Sequence, residues 1–179
     1  MPFDPAKPAA SSPLSSQEMR DQLNALKALI DALPAGASGR VAADWTSGSV
    51  SFSDVTGLSF AVANGENWSA EIVLHVLSGT TGQGLKFRAT GPGAGAVMIA
   101  MQGTGSGMST AMECEVQTAF SVAAPAKTFC PGSSLVGVVR IHIVVVNATA
   151  GTVQLQASNS TGSGTVTIKA GSDLVARRT

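Results

Sequence analysis

Few residues of this 179-residue chain have the types and spacing that catalysis or metal binding requires. His75 and His142 each alternate with apolar neighbours in a predicted strand, and neither lies at a metal-ligand spacing such as H-x-H or H-E-x-x-H. Glu113 and Glu115 lie two residues apart on one strand face, but no second carboxylate pair accompanies them. We interpret the glutamates as a solvated face and the histidines as residues of a polar or intersubunit face. The sequence therefore predicts no catalytic residue, no metal site, no cofactor and no enzymatic activity.

The other candidates for chemistry have structural explanations. GPGAG and GTGSG are not followed by a helical pattern or by G-K-[ST], so we predict loops rather than phosphate-binding turns. Cys114 and Cys130 could form one disulfide, although a chain made in the cytosol more often keeps such residues as buried free thiols. Trp45 and Trp68 could stack on a sugar, but a tryptophan at a strand end more commonly covers the core.

Composition excludes several function classes. Eleven basic residues balance eleven acidic ones, so there is no general electrostatic reason to bind nucleic acid or an anionic membrane. Apolar residues make up 44% of the chain, which argues against disorder throughout. No apolar run reaches about 18 residues, so we predict no membrane insertion. The first residues lack the basic and apolar regions of a secretory signal, and we expect synthesis in the cytoplasm.

Residues 1–36 differ in composition and periodicity from the rest of the chain. Four prolines lie within the first thirteen residues, which predicts an extended leader. Ser15 and Glu18 then form an S-x-x-E capping box, and the pattern predicts a helix from Ser16 to Leu33. Apolar residues recur along it at spacings of four, three, four and three, as in the a and d positions of a heptad repeat: Met19, Leu23, Leu26, Ile30 and Leu33.

This apolar seam has two interpretations. In the first, it is the interface of an oligomeric coiled coil, and additional apolar residues beside it favour more than two strands. In the second, the helix is amphipathic and lies on its own domain. A seam of about two heptads is too short to be stable alone, so an oligomer would need a further interface from the C-terminal part.

Residues 40–179 show a periodicity of two, which predicts strands. The clearest runs are WSAEIVLHVL, TAMECEVQTAF and LVGVVRIHIVVV; the last is apolar on both faces and is predicted to be central or to face a neighbouring subunit. Further predicted strands are SVSFS, LSFAVA, GLKFRAT, AVMIAMQ, TVQLQAS, GTVTIKA and DLVARR. With short polar turns between them, we predict a mainly β domain, an antiparallel β-sandwich or jelly roll preceded by a short N-terminal α-helix that forms a coiled coil.

Two segments resemble a known group of proteins. FDPAKPAASSPLSSQEMRDQLNALKALIDALPAG is similar to the N-terminal segment of structural proteins from tailed bacteriophages and prophages, and GTVQLQASNSTGSGTVTIKAGSDLVARRT resembles the last strands of small trimeric β-domains in phage fibre and head-surface proteins. The resemblance covers roughly residues 1–36 and 151–179. It implies a virion surface protein, a homotrimeric short fibre, spike or decoration protein. Its N-terminal segment would bind a phage capsid or tail protein, and its knob would contact the host surface, including a host glycan. The alternative functions are a carbohydrate- or receptor-binding module and a depolymerase.

Overall fold

A computed structural model describes residues 15–31, 36–80, 82–104, 112–122, 125, 127–129 and 136–179. The chain divides into two compact units, residues 1–35 and 36–179. The described part of the first unit forms a helix, α1 (Ser16–Asp31). The second contains eleven described strands: β1 (Gly36–Arg40), β2 (Trp45–Ser47), β3 (Ser53–Val62), β4 (Trp68–Ser78), β5 (Leu85–Thr90), β6 (Ala96–Thr104), β7 (Met112–Gln117), β8 (Val136–Val146), β9 (Gly151–Asn159), β10 (Val166–Ile168) and β11 (Asp173–Arg178).

The predicted capping box begins α1. The amide of Glu18 donates to Ser15 Oγ at 3.2 Å, and the amide of Ser15 donates to Glu18 Oε2 at 3.0 Å. Two amides that the first helical turn leaves without intrahelical partners are thereby satisfied. The helix prediction is confirmed as far as Asp31, whereas the last predicted seam residue, Leu33, lies outside the described residues.

All described strand pairs are antiparallel and form two sheets. The larger has the order β1-β11-β4-β8-β6-β7, with β10 paired to β4 and β2 paired to β10; the smaller has the order β3-β9-β5. β8 lies between β4 and β6, which confirms the prediction of a central position for the doubly apolar run. The protein is therefore mainly β with one short helix, as predicted, and its two antiparallel sheets are consistent with a β-sandwich.

The core lies between the sheets because alternate residues of each long strand point inward. The alternation in WSAEIVLHVL and LVGVVRIHIVVV separates two faces of each strand, and one face of β4 and of β8 is buried: Trp68, Ala70, Ile72, Leu74, Val76, Val139, Ile141, Ile143 and Val145. The Phe60 ring of β3 lies 5.5 Å from the Trp68 ring of β4 and so joins the two sheets. The burial of Trp68 confirms that this ring covers the core, and it leaves no free face for stacking on a sugar.

Two strands were not predicted, and one predicted strand is absent. β1 and β2 are short and rich in small polar residues, so they show no clear alternation. In SVSFS only Ser53 belongs to a strand. The amide of Ser49 instead donates to Ser47 Oγ at 3.1 Å, and the amide of Ser51 donates to Ser49 Oγ at 3.0 Å. These local side-chain bonds replace ladder bonds, which corrects the prediction for SVSFS.

β1 and β3 approach each other closely through glycine. A Cβ at Gly39 would overlap the carbonyl oxygen of Gly57, and a Cβ at Gly57 would overlap that of Arg40. Gly57 has a φ of +89° and lies where the β3–β9 register shifts between Asp54 and Ser59. An irregularity in the smaller sheet thus brings its backbone against an edge strand of the larger one.

Candidate functional site

The larger sheet has a second face that does not contribute to the core. We call it the outer face and define it as the side chains of β4, β6, β7, β8 and β11 that alternate with the buried ones. Strand pairing places these side chains in rows. One row runs through Val116, Ala100, His142, Glu71 and Val175, because each pairs in register with the next.

Exposed apolar side chains concentrate on the outer face. Thirteen large hydrophobic residues are exposed in the described part of the chain, of which five lie on α1 and only Val50 lies elsewhere. The other seven belong to the outer face: Met98, Met112, Val116, Val136, Val138, Val146 and Val175. Scattered surface hydrophobics are ordinary, but seven on one sheet face indicate an interaction surface.

The charged groups of the outer face balance one another. Arg140 Nη1 lies 3.5 Å from Glu71 Oε1, and both side chains are well exposed. β11 adds Asp173 and Arg177, which lie on the same side as the exposed Val175. Two acidic and two basic residues therefore share the described outer face, so it has no net charge with histidine neutral.

A depression lined by both apolar and polar residues lies near the centre of the outer face. It has a volume of about 510 Å³, and its polar lining includes Glu71, Gln102, Arg140 and His142. A second depression of about 380 Å³ shares Glu71 and His142 with it. These side chains offer hydrogen-bond donors and acceptors to a ligand, with valine methyl groups beside them.

His142 is hydrogen-bonded to a serine, but no other residue in the described part of the chain completes a catalytic arrangement with this pair. Ser69 Oγ and His142 Nε2 are 2.9 Å apart. A nucleophilic serine also requires a group that orients the other ring nitrogen and donors for an oxyanion. Within the described ranges, no carboxylate bonds to that nitrogen, and no group of three histidine, cysteine or acidic residues could hold a metal ion. The contact is therefore best explained as a surface hydrogen bond between paired strands.

The interpretation of Glu113 and Glu115 as a solvated pair is wrong for Glu115. Its side chain is buried, with 8% of the residue exposed, and Gln117 is buried beside it. Glu115 Oε1 accepts a bond from Gln117 Nε2 at 3.0 Å, and Oε2 accepts one from the amide of Lys127 at 2.9 Å. Lys127 Nζ lies 2.8 Å from Glu113, which raises the pKa of the lysine.

Because Glu115 lies on the inner side of β7, the apolar side of this strand faces outward. The interpretation of Glu113 and Glu115 as a solvated face implies that Met112, Cys114 and Val116 face the core, but all three are exposed. Cys114 is a free thiol, whereas Cys130 lies outside the described residues. A strand alternation shows which residues share a face, but it does not show which face is buried. The alternation therefore identifies the residues of this apolar strip, but it does not identify the side of the sheet on which the strip lies.

The predicted seam residues of α1 lie on an exposed apolar stripe. Leu23 is 59% exposed, and Met19, Leu26 and Ile30 are exposed as well. Leu29, between the last two, widens the stripe.

None of the helices in the described part of the chain is long and apolar enough to cross a membrane.

Comparisons with known proteins identify no family. No family model and no curated protein matches the chain. Among solved structures, the infectious bursal disease virus VP2 subviral particle is 13% identical with a TM-score of 0.24, over 82% of this chain and 38% of that chain. The structure of the Gx strain of the same virus is 8% identical with a TM-score of 0.25, over 82% of this chain and 40% of that chain. This chain therefore spans about two fifths of those proteins, and a TM-score below 0.5 does not establish a common fold.

Proposed function

We propose that the protein is a structural subunit of a bacteriophage particle, a homotrimeric short fibre, spike or decoration protein. It would be made in the host cytoplasm and become part of the virion surface. Its N-terminal leader would attach it to a capsid or tail protein, and its β domain would form an exposed knob. Such a role requires no catalytic group and no cofactor.

The observation that carries this proposal is the exposed seam of α1. A helix that leaves Leu23, Leu26 and Ile30 in water requires a partner, because these side chains contribute little to stability unless they are buried. Their spacing fits positions a and d of a short coiled coil. The resemblance of this segment to phage attachment helices supports a bundle of three such helices, one from each copy of the chain.

The β domain supports the proposal through the order in which its strands pair. β6 pairs with β7, β4 with β8, and β3 with β9. Phe129, between β7 and β8 in the chain, makes a bridge to Leu85 of β5. These four pairs are nested in the sequence and alternate between the sheets, which supports a jelly roll, an architecture common in viral capsid domains.

A second candidate function, carbohydrate or receptor binding, is favoured by the depression that Glu71, Gln102, Arg140 and His142 line. Glu71, Gln102 and Arg140 could bind the hydroxyl groups of a host glycan there. This function would be tested on a glycan array with the intact protein and the Glu71→Gln variant. Loss of binding in the variant would support it, and absence of any glycan signal from the intact protein would count against it.

The trimer is tested by the mass of the intact chain in solution. Light scattering at micromolar concentration should give about three times the chain mass of 17.9 kDa. Leu26→Asp should loosen or dissociate the trimer, because like charges would be buried in one layer of the bundle. Ala28→Asp, at the exposed f position of the same heptad, should leave the mass unchanged and is the matched control.

The same pair of variants tests the alternative role of the helix. If α1 packs on its own sandwich, Leu26→Asp would lower the melting temperature and leave the mass unaltered. A monomer of about 18 kDa for the intact chain would refute the trimer.

A further inference from the structure

We propose that the outer face is the surface through which the β domains of neighbouring copies of this chain bind each other in the trimer. The proposal rests on the proposed function, since it names the second interface that the short helix seam needs. The size, charge and composition of the face favour another copy of the chain as the binding partner.

The size of the face suits a protein partner. β11, β4, β8, β6 and β7 are five adjacent strands, so the face is about 20 Å wide at a strand spacing of about 4.8 Å. β8 has eleven residues and is about 35 Å long. The resulting area of roughly 700 Å² is close to the ~800 Å² that each partner buries in a stable protein interface.

The charge of the face suits a copy of the same chain. Because Glu71 and Arg140 are exposed neighbours of opposite sign, Arg140 of one copy can lie against Glu71 of the next copy around the trimer. An anionic partner such as nucleic acid would require a surplus of basic residues, and the described outer face has none.

The composition of the face points in the same direction. β7 places Val116, 64% exposed, and Met112 outward, while it places Glu115 and Gln117 inward. Burying polar side chains beneath an exposed apolar strip is unfavourable for an isolated domain, because the apolar residues would be more stable inside. A second copy that covers the strip would bury these apolar side chains and so offset part of this cost.

The test compares two valine-to-lysine variants of the full chain. Val116→Lys adds a charge to the outer face, whereas Val50→Lys adds the same charge in the loop between β2 and β3, where Val50 is 59% exposed. Sedimentation velocity over a concentration series should show a dissociation constant more than about tenfold weaker for Val116→Lys than for the intact chain. Val50→Lys should match the intact chain.

Cys114 provides a second readout on the same face, two residues from Val116. In a Cys130→Ser background, its thiol should react with a bulky maleimide more slowly in the associated protein than after dilution. Val116→Lys should remove this protection, and Val50→Lys should preserve it.

The outcomes separate this proposal from the trimer. If Leu26→Asp dissociates the protein while Val116→Lys leaves both mass and thiol reactivity unchanged, the outer-face proposal is wrong and the helix interface stands. If Val116→Lys dissociates it while Leu26→Asp does not, the outer face stands and the helix seam fails. A monomeric intact chain would overturn both.

Discussion

Val116 and Gln117 are consecutive residues of β7, yet Val116 is 64% exposed and Gln117 is 4% exposed. The strand therefore buries its polar side and exposes its apolar side. Gln117 Nε2 donates to the carbonyl oxygen of Phe87 at 3.1 Å and to Glu115 Oε1 at 3.0 Å, so β7 is fastened to β5 of the other sheet by polar contacts. Val116 is therefore available to contact a partner outside the domain.

We predict that Glu115→Ala destabilises the β domain by about 1–3 kcal/mol. The substitution removes the acceptor of the Lys127 amide, and it removes one of the two acceptors of the buried Gln117 Nε2, which keeps the Phe87 carbonyl. Urea unfolding measures the change. Glu113→Ala is the matched control on the same strand, and because its ion pair with Lys127 is partly exposed, it should cost less than about 1 kcal/mol. Equal losses in the two variants would contradict the buried network.

We predict that Gly57→Ala destabilises the protein by more than about 3 kcal/mol, through a positive φ combined with overlap against the backbone of Arg40. Gly65→Ala is the control, because Gly65 has a φ of +78° and no atom within 4 Å of an added Cβ. It should cost only the conformational term of about 1–2 kcal/mol. Thermal unfolding compares them. A loss at Gly57 no larger than that at Gly65 would mean that β1 and β3 are farther apart than described.

We predict a specific acid sensitivity from Glu66. Bonds from the amide of Ala63, from Trp68 Nε1 and from Arg178 lower the pKa of this carboxyl from 4.5 to about 2. Since the folded-state pKa lies below the unfolded one, ionised Glu66 stabilises the fold fully above about pH 4.5, and this contribution is lost as the pH falls to about 2. The difference in unfolding free energy between the intact chain and Glu66→Gln should shrink across that window.

Arg178→Gln provides a graded control for the Glu66 prediction. It removes one of the three groups that bond to the carboxylate, the contact at 3.0 Å to Oε1, and leaves the other two. Its stability should therefore depend on pH less steeply than that of the intact chain and more steeply than that of Glu66→Gln. A pH-independent difference between the intact chain and Glu66→Gln would argue against the three-bond arrangement.

We predict that removal of residues 1–14 leaves a folded, associated protein that no longer joins phage particles. The leader has four prolines and no apolar periodicity, so it should contribute no core and act as an extended peptide bound to a partner. Circular dichroism and light scattering check the fold and the mass, and incorporation is measured on purified particles. Normal incorporation of the truncated chain would refute the attachment role.

The sequence by itself determined the local elements. The Ser15–Glu18 capping box begins α1 because its two bonds join residues three apart, and no distant residue is needed. Alternation located β4 and β8 and the core residues on them, since both strands are central and flanked by apolar neighbours. The mainly β class followed from these runs and from the polar turns between them.

The tertiary structure alone decided which face of β7 is buried and where β1 lies. A period of two defines two faces, but the neighbouring sheet selects the inner one, and here Phe87 and Lys127 supply partners for Gln117 and Glu115. β1 has no apolar signal, and its position depends on contact with a glycine, Gly57, that is 18 residues away in the chain from Gly39. Such choices depend on contacts between residues distant in sequence, and local pattern does not contain them.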